Sequence, residues 1–430
     1  MPSAASGARG ARLRRAGAGA GQGDKVIDLR AARAAPDAVR AAVARKGAGE
    51  AFDRLMAADT RWRELVPKVD ELRSATKTKG KPTPEKLEEL KEAKAELKSL
   101  ETELAEAEAV RDEALNHVPN PPHDSVPDGE DADEDSREER RWGEPPQLTE
   151  PRDHLELGRF DMDRAARVSG ARFGYWVGDT ALVALAAYRL AIDRLAARGF
   201  LPVLPPVLVR EEAMYGTGWF PTEEHNIYAV AGEDLYLVGT SEVPVGGLHM
   251  GEILEADDLP LRYTAFSTNF RREAGAAGKD TKGMFRVHQF NKVEQFVLCR
   301  PEDSWEEHER LVANTEEIVR ELEIPHRVVT LPAGDISAAS AKTYDVESWF
   351  PSQGRYRETA SVSNTTDFQA RRLRIRFRDE GNLQPVHTLN GTAVVDRMVL
   401  ALLENHQRDD GTVDVPEVLR EFGAPERFSR

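Results

Sequence analysis

Residues 270–294, FRREAGAAGKDTKGMFRVHQFNKVE, place two charged segments on either side of a glycine-containing loop. This pattern predicts a strand, a long loop and a returning strand. Because side chains alternate between the faces of a strand, we expect one face to carry Arg271, Glu273, Arg286, Phe290 and Glu294. Guanidinium groups bind phosphate oxygens, a ring can stack on a base, and a carboxylate accepts from an amine. The set predicts a nucleotide and amine pocket, whereas each residue alone fits a solvated hairpin equally well.

Composition sets the class of protein. The chain has 430 residues, of which 40% are hydrophobic and 31% are charged, which predicts a soluble protein with more than one domain. No apolar run approaches the roughly 20 residues that span a bilayer, so no membrane partner is expected. The single cysteine, Cys299, excludes a cysteine-cluster zinc site and favours a reducing, cytoplasmic setting. A net charge of -16 argues against indiscriminate nucleic-acid binding but leaves room for a local basic stripe on RNA.

The N-terminal quarter divides into an extension and a helical hairpin. Residues 1–25 are rich in Gly, Ala and Arg, and we predict a disordered extension. Within residues 26–116, two heptad-like stripes predict two antiparallel helices, because the prolines and glycine of KTKGKPTPEK force a turn between them. A dimerisation or spacer coil would show the same stripes. Basic residues near the turn instead favour phosphate binding, and the candidates are Arg73, Lys77, Lys79 and Lys81.

Residues 117–150 are rich in Pro, Asp and Glu, which predicts an acidic linker before a domain over residues 151–430. In that domain a helix is expected to end at Gly199, and GFLPVLPPVLV, with its prolines, predicts a bent or edge strand. LYLVGTSEVP predicts a strand that runs into a polar turn, with Thr240 and Glu242 on one face if the strand continues.

Two later segments carry further polar residues. In residues 347–372, Glu358 and Ser361 supply oxygen atoms suited to Mg²⁺, but strict alternation puts them on opposite faces, so a bulge is expected between them. HTLNGTAVVDRMVLALLENHQ, residues 387–407, predicts a turn into an amphipathic helix with Arg397 near its N-terminus. An arginine there opposes the helix dipole, and a bound polyphosphate would remove that cost.

These segments together resemble the class II aminoacyl-tRNA synthetases, and in particular the seryl-tRNA synthetase family. FRRE and the returning strand resemble motif 2, the proline-rich strand with Pro206 resembles motif 1, and the segment around Arg397 resembles motif 3, with one residue fewer after Gly391 than in many bacterial members. The resemblance implies an α+β fold: an antiparallel sheet with flanking helices, preceded by an antiparallel two-helix coiled-coil arm. It also implies a homodimer.

The resemblance implies the chemistry as well. ATP and L-serine would form seryl adenylate, and the seryl group would pass to tRNA(Ser), and to tRNA(Sec) where that is present; Mg²⁺ would accompany ATP, and neither zinc nor DNA is expected. The implied catalytic residues are Arg271 and Arg397. The implied ATP-binding residues are Arg271, Arg272, Glu273, Arg286, Phe290, Glu358, Thr359, Ala360, Ser361 and Arg397. Metal would be held by Glu358 and Ser361. The implied serine-binding residues are Thr240, Ser241, Glu242, Glu294, Asn390 and Thr392.

Two other functions are compatible with the same motifs. A paralogue could use adenylation to load a carrier protein or to supply seryl groups to a biosynthetic pathway, although the intact arm argues against the carrier version. A non-catalytic RNA-binding scaffold is the other possibility, and the retained arginines and glutamates argue against it.

Overall fold

The structure is a computed structural model that describes residues 27–77, 83–274 and 283–430. The predicted extension, residues 1–25, therefore lies outside the described residues, as do Lys79 and Lys81. No helix in the described ranges has the length and apolar character needed to cross a membrane.

The N-terminal part is helical. Its helices are α1 (Leu29–Ala34), α2 (Pro36–Ala44), α3 (Gly49–Ala75) and α4 (Pro84–Asn116). At 1.5 Å per residue, α3 and α4 reach about 40 and 50 Å. They pack side by side through the predicted stripes, in which Leu65 and Val69 are almost fully buried. The predicted two-helix arm is confirmed.

Short elements connect the arm to the second part of the chain. They are α5 (Ala132–Asp135), β1 (Arg137–Trp142), α6 (His154–Leu157), β2 (Phe160–Asp161), α7 (Met162–Ser169) and β3 (Tyr175–Trp176). The prediction that residues 117–150 are only a linker is wrong, because β1 pairs with the main sheet. Every residue of β1 is exposed, so its side chains show no core pattern. Charged side chains of this kind are typical of an edge strand, which is held by its backbone.

The second part is built on one large sheet and its helices. The remaining helices are α8 (Asp179–Ala197), α9 (Glu211–Thr217), α10 (Glu242–Gly246), α11 (Ser304–Glu321), α12 (Phe368–Leu373), α13 (Asp396–Asn405) and α14 (Glu417–Arg420). The remaining strands are β4 (Leu201–Val203), β5 (Leu208–Val209), β6 (Tyr236–Leu237), β7 (Ile253–Glu255), β8 (Leu261–Phe270), β9 (Gln289–Cys299), β10 (His326–Thr330), β11 (Lys342–Phe350), β12 (Arg355–Asn364), β13 (Arg376–Asp379), β14 (Asn382–Pro385), β15 (His387–Val395), β16 (Val413–Asp414) and β17 (Arg427–Phe428).

The large sheet has the order β1-β10-β11-β12-β15-β9-β8-β4 and is antiparallel except for β4, which runs parallel to β8 at one edge. The expected edge strand in the proline-rich segment is confirmed, and helix α8 ends just before Gly199 as predicted. The sheet carries two different faces. Odd-numbered residues of β9, such as Val293 and Val297, enter the main core with α8, α11 and α13. Even-numbered residues Phe290, Lys292 and Glu294 point to the opposite face, where the cavity lies.

Two local predictions are wrong. Strand β8 ends at Phe270, so Arg271 and Glu273 follow the strand, and Glu273 takes a left-handed backbone with φ 51°. Arg286 likewise precedes β9. The strand that runs into a polar turn in LYLVGTSEVP is confirmed, since β6 ends at Leu237 and the turn follows, but the strand does not continue to Thr240, and Glu242 begins helix α10. The segment HTLNGTAVV, expected to be a turn, forms the central strand β15. Its polar residues Asn390 and Thr392 line the cavity.

Candidate active site

A cavity of about 360 Å³ lies on the face of the large sheet opposite the main core. The sequence-predicted residues that line it are Thr240, Glu242, Arg271, Glu273, Arg286, Phe290, Glu294, Glu358, Thr359, Ser361, Asn390, Thr392 and Arg397. They come from β9, β12 and β15, from the segments beside β8 and β9, and from the starts of α10 and α13. The fold thus brings residues from motif-like segments 150 positions apart into one concave site.

Arg271 is fixed in the wall of this cavity by its surroundings. Its Nε donates to the carbonyl oxygen of Gly239 at 3.1 Å, and its guanidinium carbon lies 5.3 Å from the ring centres of both Trp219 and Phe290. A Cβ on Gly239 would come within 2.8 Å of the Trp219 ring, so the arrangement requires glycine there. Burial lowers the pKa of Arg271, while Glu273 opposes that change. The guanidinium is held in place, with rings on two sides.

Two further arginines are paired with carboxylates across the cavity. Arg286 Nε donates to Glu273, and Arg397 Nη1 lies 2.6 Å from Glu358 Oε2. Arg397 also donates from Nε to the Phe285 carbonyl at 3.0 Å, which ties the start of α13 to the segment that precedes β9. Arginine–carboxylate pairs of this kind hold the guanidinium groups in position, and a polyphosphate could replace the carboxylates as the anionic partner.

The other end of the cavity contains a compact polar cluster. Lys292 Nζ donates to Thr240 Oγ1 at 2.7 Å and forms an ion pair with Glu294. Glu242 Oε1 accepts from Gln369 Nε2 at 2.7 Å and from Asn390 Nδ2 at 2.9 Å. Burial, and then the nearby Glu294, raise the pKa of Glu242 to about 7. The pKa of Glu294 is raised by burial as well. Two carboxylates that share one small site favour an added cation, such as an ammonium group.

The oxygen atoms of β12 lie together because of a bulge. Ala360 pairs with Val346 but Glu358 pairs with Glu347, so Thr359 is the extra residue. Glu358 and Ser361 therefore reach the same cavity, as the sequence analysis expected. Ser361 Oγ donates to Asp345 Oδ1 at 2.6 Å. Burial, and then Glu358, raise the pKa of Asp345. Burial by itself would raise the pKa of Glu358, but Arg397 and Arg271 hold it below its ordinary value.

Three residues of the predicted set lie elsewhere. Arg272 is exposed, and its backbone N–H donates to Asn226 O at 2.8 Å. Ser241 is fully buried, with no hydrogen-bond partner for its Oγ among the described residues. Ala360 has its side chain in the main core. Neighbours of a site residue on a strand or tight turn point away from the site, which explains all three placements.

Residues outside the predicted set also line or support the cavity. Lys292 was within reach of the alternation argument, since it lies on β9 between Phe290 and Glu294. Trp219 follows the end of α9 and Gln369 lies on α12, and nothing in the sequence places them beside Arg271 and Glu242.

A second hydrogen-bond network connects α13 to the segment that precedes β9 and supports the cavity. Glu404 Oε1 on α13 accepts from His154 Nδ1 at 2.8 Å, and His154 Nε2 accepts from the Met284 backbone N–H at 3.4 Å. In the described ranges, Asp153, His154 and Glu404 form a cluster of side chains of the types that can bind a metal ion. Their hydrogen bonds to one another instead make it an anchor for the segment that carries Met284, Phe285 and Arg286.

The proposed RNA-binding residues of the arm are only partly described. Arg73 and Lys77 are exposed at the outer end of α3, and Arg73 pairs with Asp70 at 3.3 Å and with Glu101 at 2.9 Å. Lys79 and Lys81 lie between α3 and α4, in the part of the chain that is not described.

The chain is similar to known proteins over most of its length. Residues 26–122 match the model of the seryl-tRNA synthetase N-terminal domain, and residues 226–406 match the tRNA synthetase class II core domain of the G, H, P, S and T enzymes. A serine–tRNA ligase of Thermobifida fusca is 48% identical, over 92% of this chain and 97% of the relative. One from Thermococcus onnurineus is 42% identical, over 92% of this chain and 96% of the relative.

Solved structures are similar over the same extent. The crystal structure of seryl-tRNA synthetase from Pyrococcus horikoshii complexed with ATP has a TM-score of 0.88 at 41% identity, covering 94% of this chain and 99% of that one. The cytoplasmic serine–tRNA ligase of Naegleria fowleri in complex with AMP has a TM-score of 0.83 at 32% identity, covering 92% and 95%.

Proposed function

This chain belongs to the seryl-tRNA synthetase family, and we propose that it joins L-serine to tRNA(Ser), and to tRNA(Sec) where present, through a seryl-adenylate intermediate. The observation that carries the proposal is the two-ended cavity on the large sheet. Arginines and an aromatic ring lie at one end, and paired carboxylates with amide and hydroxyl groups lie at the other. That arrangement fits a nucleoside triphosphate and a small ammonium-bearing substrate side by side, and two relatives have been crystallised with ATP and with AMP.

In the first step the serine carboxylate would attack the α-phosphorus of ATP, forming the acyl–phosphate bond while pyrophosphate leaves. The enzyme forms no covalent bond, so its contribution is positioning and charge neutralisation. Arg271 would bind the α-phosphate, since it is held rigidly between two rings. Arg286 and Arg397 would exchange Glu273 and Glu358 for the outer phosphates. Phe290 would stack on adenine, and Glu273, once released, would accept from the adenine amine.

Serine would be bound at the Lys292 end of the cavity. Glu242 and Glu294 would receive its ammonium group, because their crowding is relieved by a cation. Its hydroxyl would bond to Thr240, Asn390 or Thr392, which lie within the same cluster; Thr392 lies opposite Glu294 in the sheet register. Lys292, which lies beside Thr240 at this end, would pair with the serine carboxylate. In the second step a ribose hydroxyl of tRNA would attack the carbonyl carbon of seryl adenylate, so that the ester bond forms, the acyl–phosphate bond breaks and AMP leaves.

The residues of β12 suit a magnesium ion. Glu358, Ser361 and the neighbouring Asp345 provide only oxygen donors, and hard oxygen ligands are those that Mg²⁺ prefers. Glu358 and Ser361 would hold it, and a bound Mg²⁺ would neutralise charge on the phosphates of ATP. No cysteine lies near this cluster, since Cys299 is buried in the core.

The remaining partners follow from the rest of the molecule. We propose that the arm binds tRNA, with Arg73 and Lys77 at its exposed end. We also propose a homodimer through the β4 edge, because Leu201 on β4 and Leu204 directly after it are exposed to 61% and 82%. Exposed apolar clusters of that kind are typical of interfaces. A cytoplasmic location is proposed because protein synthesis takes place there.

The decisive experiment is serine-dependent exchange of pyrophosphate into ATP, followed by charging of purified tRNA(Ser). Exchange with serine and formation of seryl-tRNA would support the proposal. Exchange without tRNA charging would indicate a paralogue that supplies seryl groups elsewhere, and absence of both would indicate a scaffold.

A further inference from the structure

A second cavity, of about 320 Å³, lies where the base of the arm meets the catalytic part of the chain. One wall is formed by the turn between α2 and α3 and by the chain that leaves α4, and it includes Lys46 and His117. The other is formed by the segment around Gly334–Ala338 and by α12, which contributes Arg372. The volume falls at the lower end of the range of about 300–1,000 Å³ that is typical of small-molecule sites.

The two cations of this cavity donate their hydrogen bonds to backbone carbonyl oxygens. Lys46 Nζ donates to the carbonyl oxygens of Ser337 and Ser340, at 2.8 and 2.6 Å. Arg372 Nη1 donates to the carbonyl oxygens of Tyr215 and Phe220, at 3.1 and 3.2 Å. In the described residues neither cation forms an ion pair, and no Asp or Glu lines the cavity. The third titratable residue, His117, lies 3.2 Å from the exposed Glu113.

Arg372 is the more deeply enclosed of the two. It is 8% exposed, its guanidinium lies 4.3 Å from the Phe368 ring centre, and its Nε has no hydrogen-bond partner among the described residues. Burial lowers its pKa to about 10, and burial lowers the pKa of Lys46 to about 7. Charge buried without a counter-charge costs free energy, and a bound anion beside both groups would relieve that cost.

We propose that this junction cavity is a binding site for a small anion that bears a phosphate or carboxylate group, with Lys46 and Arg372 as its charged partners. The site lies directly behind the catalytic cavity, because Ser337 and Ser340, whose carbonyls hold Lys46, also line that cavity. An anion there would join the arm base to the wall of the active site through Lys46. Nothing in the serine–tRNA ligase reaction as proposed uses these two cations.

The test is a titration of the full chain with inorganic phosphate, in which the melting temperature of the protein is measured at each concentration. KCl at matched ionic strength is the control. A parallel titration with malonate distinguishes phosphate from carboxylate ligands. Each is done with and without a saturating non-hydrolysable seryl-adenylate analogue, so that phosphate binding in the catalytic cavity is separated from binding at the junction. We expect a saturable rise in melting temperature with at least one anion, and that rise should persist with the analogue bound.

Variants identify the site. Lys46→Met and Arg372→Gln should each lower the affinity for the anion by about tenfold or more, the loss expected for one charge-assisted contact. Lys46→Arg should keep it, because the charge is restored. The control Lys68→Met removes a charge from an exposed position on α3 and should leave binding unchanged. If Arg372→Gln fails to fold, the comparison of Lys46→Met with Lys46→Arg tests the proposal. The proposal is overturned if neither anion gives a saturable shift beyond KCl, or if Lys46→Met and Lys68→Met behave alike.

Discussion

Arg397 Nη1 lies 2.6 Å from Glu358 Oε2, so the second residue of α13 forms an ion pair with β12 across the mouth of the catalytic cavity. The arginine expected to hold phosphate and the carboxylate expected to hold metal are thus paired with each other. ATP with its metal would separate them, giving phosphate oxygens to the arginine and a cation to the carboxylate. The cavity therefore already holds a cation that would match the phosphates of ATP and an anion that would match its metal.

Arg271→Ala should lower the rate of pyrophosphate exchange about a hundredfold, because a contact to charge developing on phosphate contributes on the order of 3 kcal/mol. Arg271→Lys should not restore the rate, since a point charge cannot reproduce the planar fork between Trp219 and Phe290. The matched comparison is Arg272→Ala, whose exposed side chain lies outside the cavity and whose loss should have little effect. Near-normal exchange in either Arg271 variant would remove this residue from the site.

Serine should be preferred over alanine by a factor on the order of 10⁴ in kcat/KM for exchange. The reason is the polar cluster around Glu242, Asn390 and Lys292, which alanine would leave with an unpaired group at the hydroxyl position. Threonine should be rejected by its extra methyl group instead. Comparable kcat/KM values for alanine and serine would show that the hydroxyl is not read.

The KM for serine should depend on pH through Glu242. The pKa of this carboxyl is raised to about 7 in the free enzyme, by burial and then by Glu294, so it is mostly neutral below that pH and mostly anionic above it. Only the anion neutralises the serine ammonium. We expect KM to rise by up to about tenfold per unit as the pH falls below 7, and to level off above it. Glu242→Gln should bind serine weakly with a flatter profile, and an unchanged profile in that variant would assign the titration to another group.

His154→Phe should raise the KM for ATP several-fold while leaving the KM for serine nearly unchanged. The substitution removes the acceptor of the Met284 N–H and the donor to Glu404, and so loosens the segment that carries Arg286. His154→Gln, which can still accept from Met284, should lie closer to the parent. A general loss of stability without this contrast between the two substrates would indicate a purely structural role, and thermal melting of both variants provides that comparison.

Removing the outer arm should separate the two half-reactions. The structure dictates where to cut, because Phe52, Leu55 and Leu115 at the arm base pack with Phe368 of the catalytic part. Replacing residues 70–103 by a short linker spares that base. Pyrophosphate exchange should persist and tRNA charging should collapse, since phosphate contacts supply much of the affinity for tRNA.

A milder form of the same experiment replaces Lys77, Lys79 and Lys81 with Ala, which should raise the KM for tRNA and reduce its dependence on salt. Replacing the exposed Lys86 and Lys91, which pair with Glu89 and Glu88, provides a control with a similar loss of charge. If the deletion lowers exchange and charging equally, the arm is a structural brace.

The sequence by itself determined the elements whose signal is local. The heptad stripes and the intervening prolines specify the arm, and Gly199 ends α8. The bulge at Thr359 followed from the requirement that Glu358 and Ser361 share a face. Most of the cavity residues followed from the motifs that resemble the family, although Arg271, Glu273 and Arg286 lie beside the strands and not on them.

Only the tertiary structure decided the rest. Strand β15 was predicted as a turn, since its Asn390 and Thr392 look like loop residues until the cavity gives them a buried polar environment. Strand β1 carries only exposed side chains and is held by backbone pairing with a partner almost 190 residues away. Trp219, Gln369 and the His154–Glu404 pair reach the site from elements distant in sequence. Periodicity reports which face of an element is apolar, but not which distant element packs beside it, and that pairing placed Lys292 between Thr240 and Glu294.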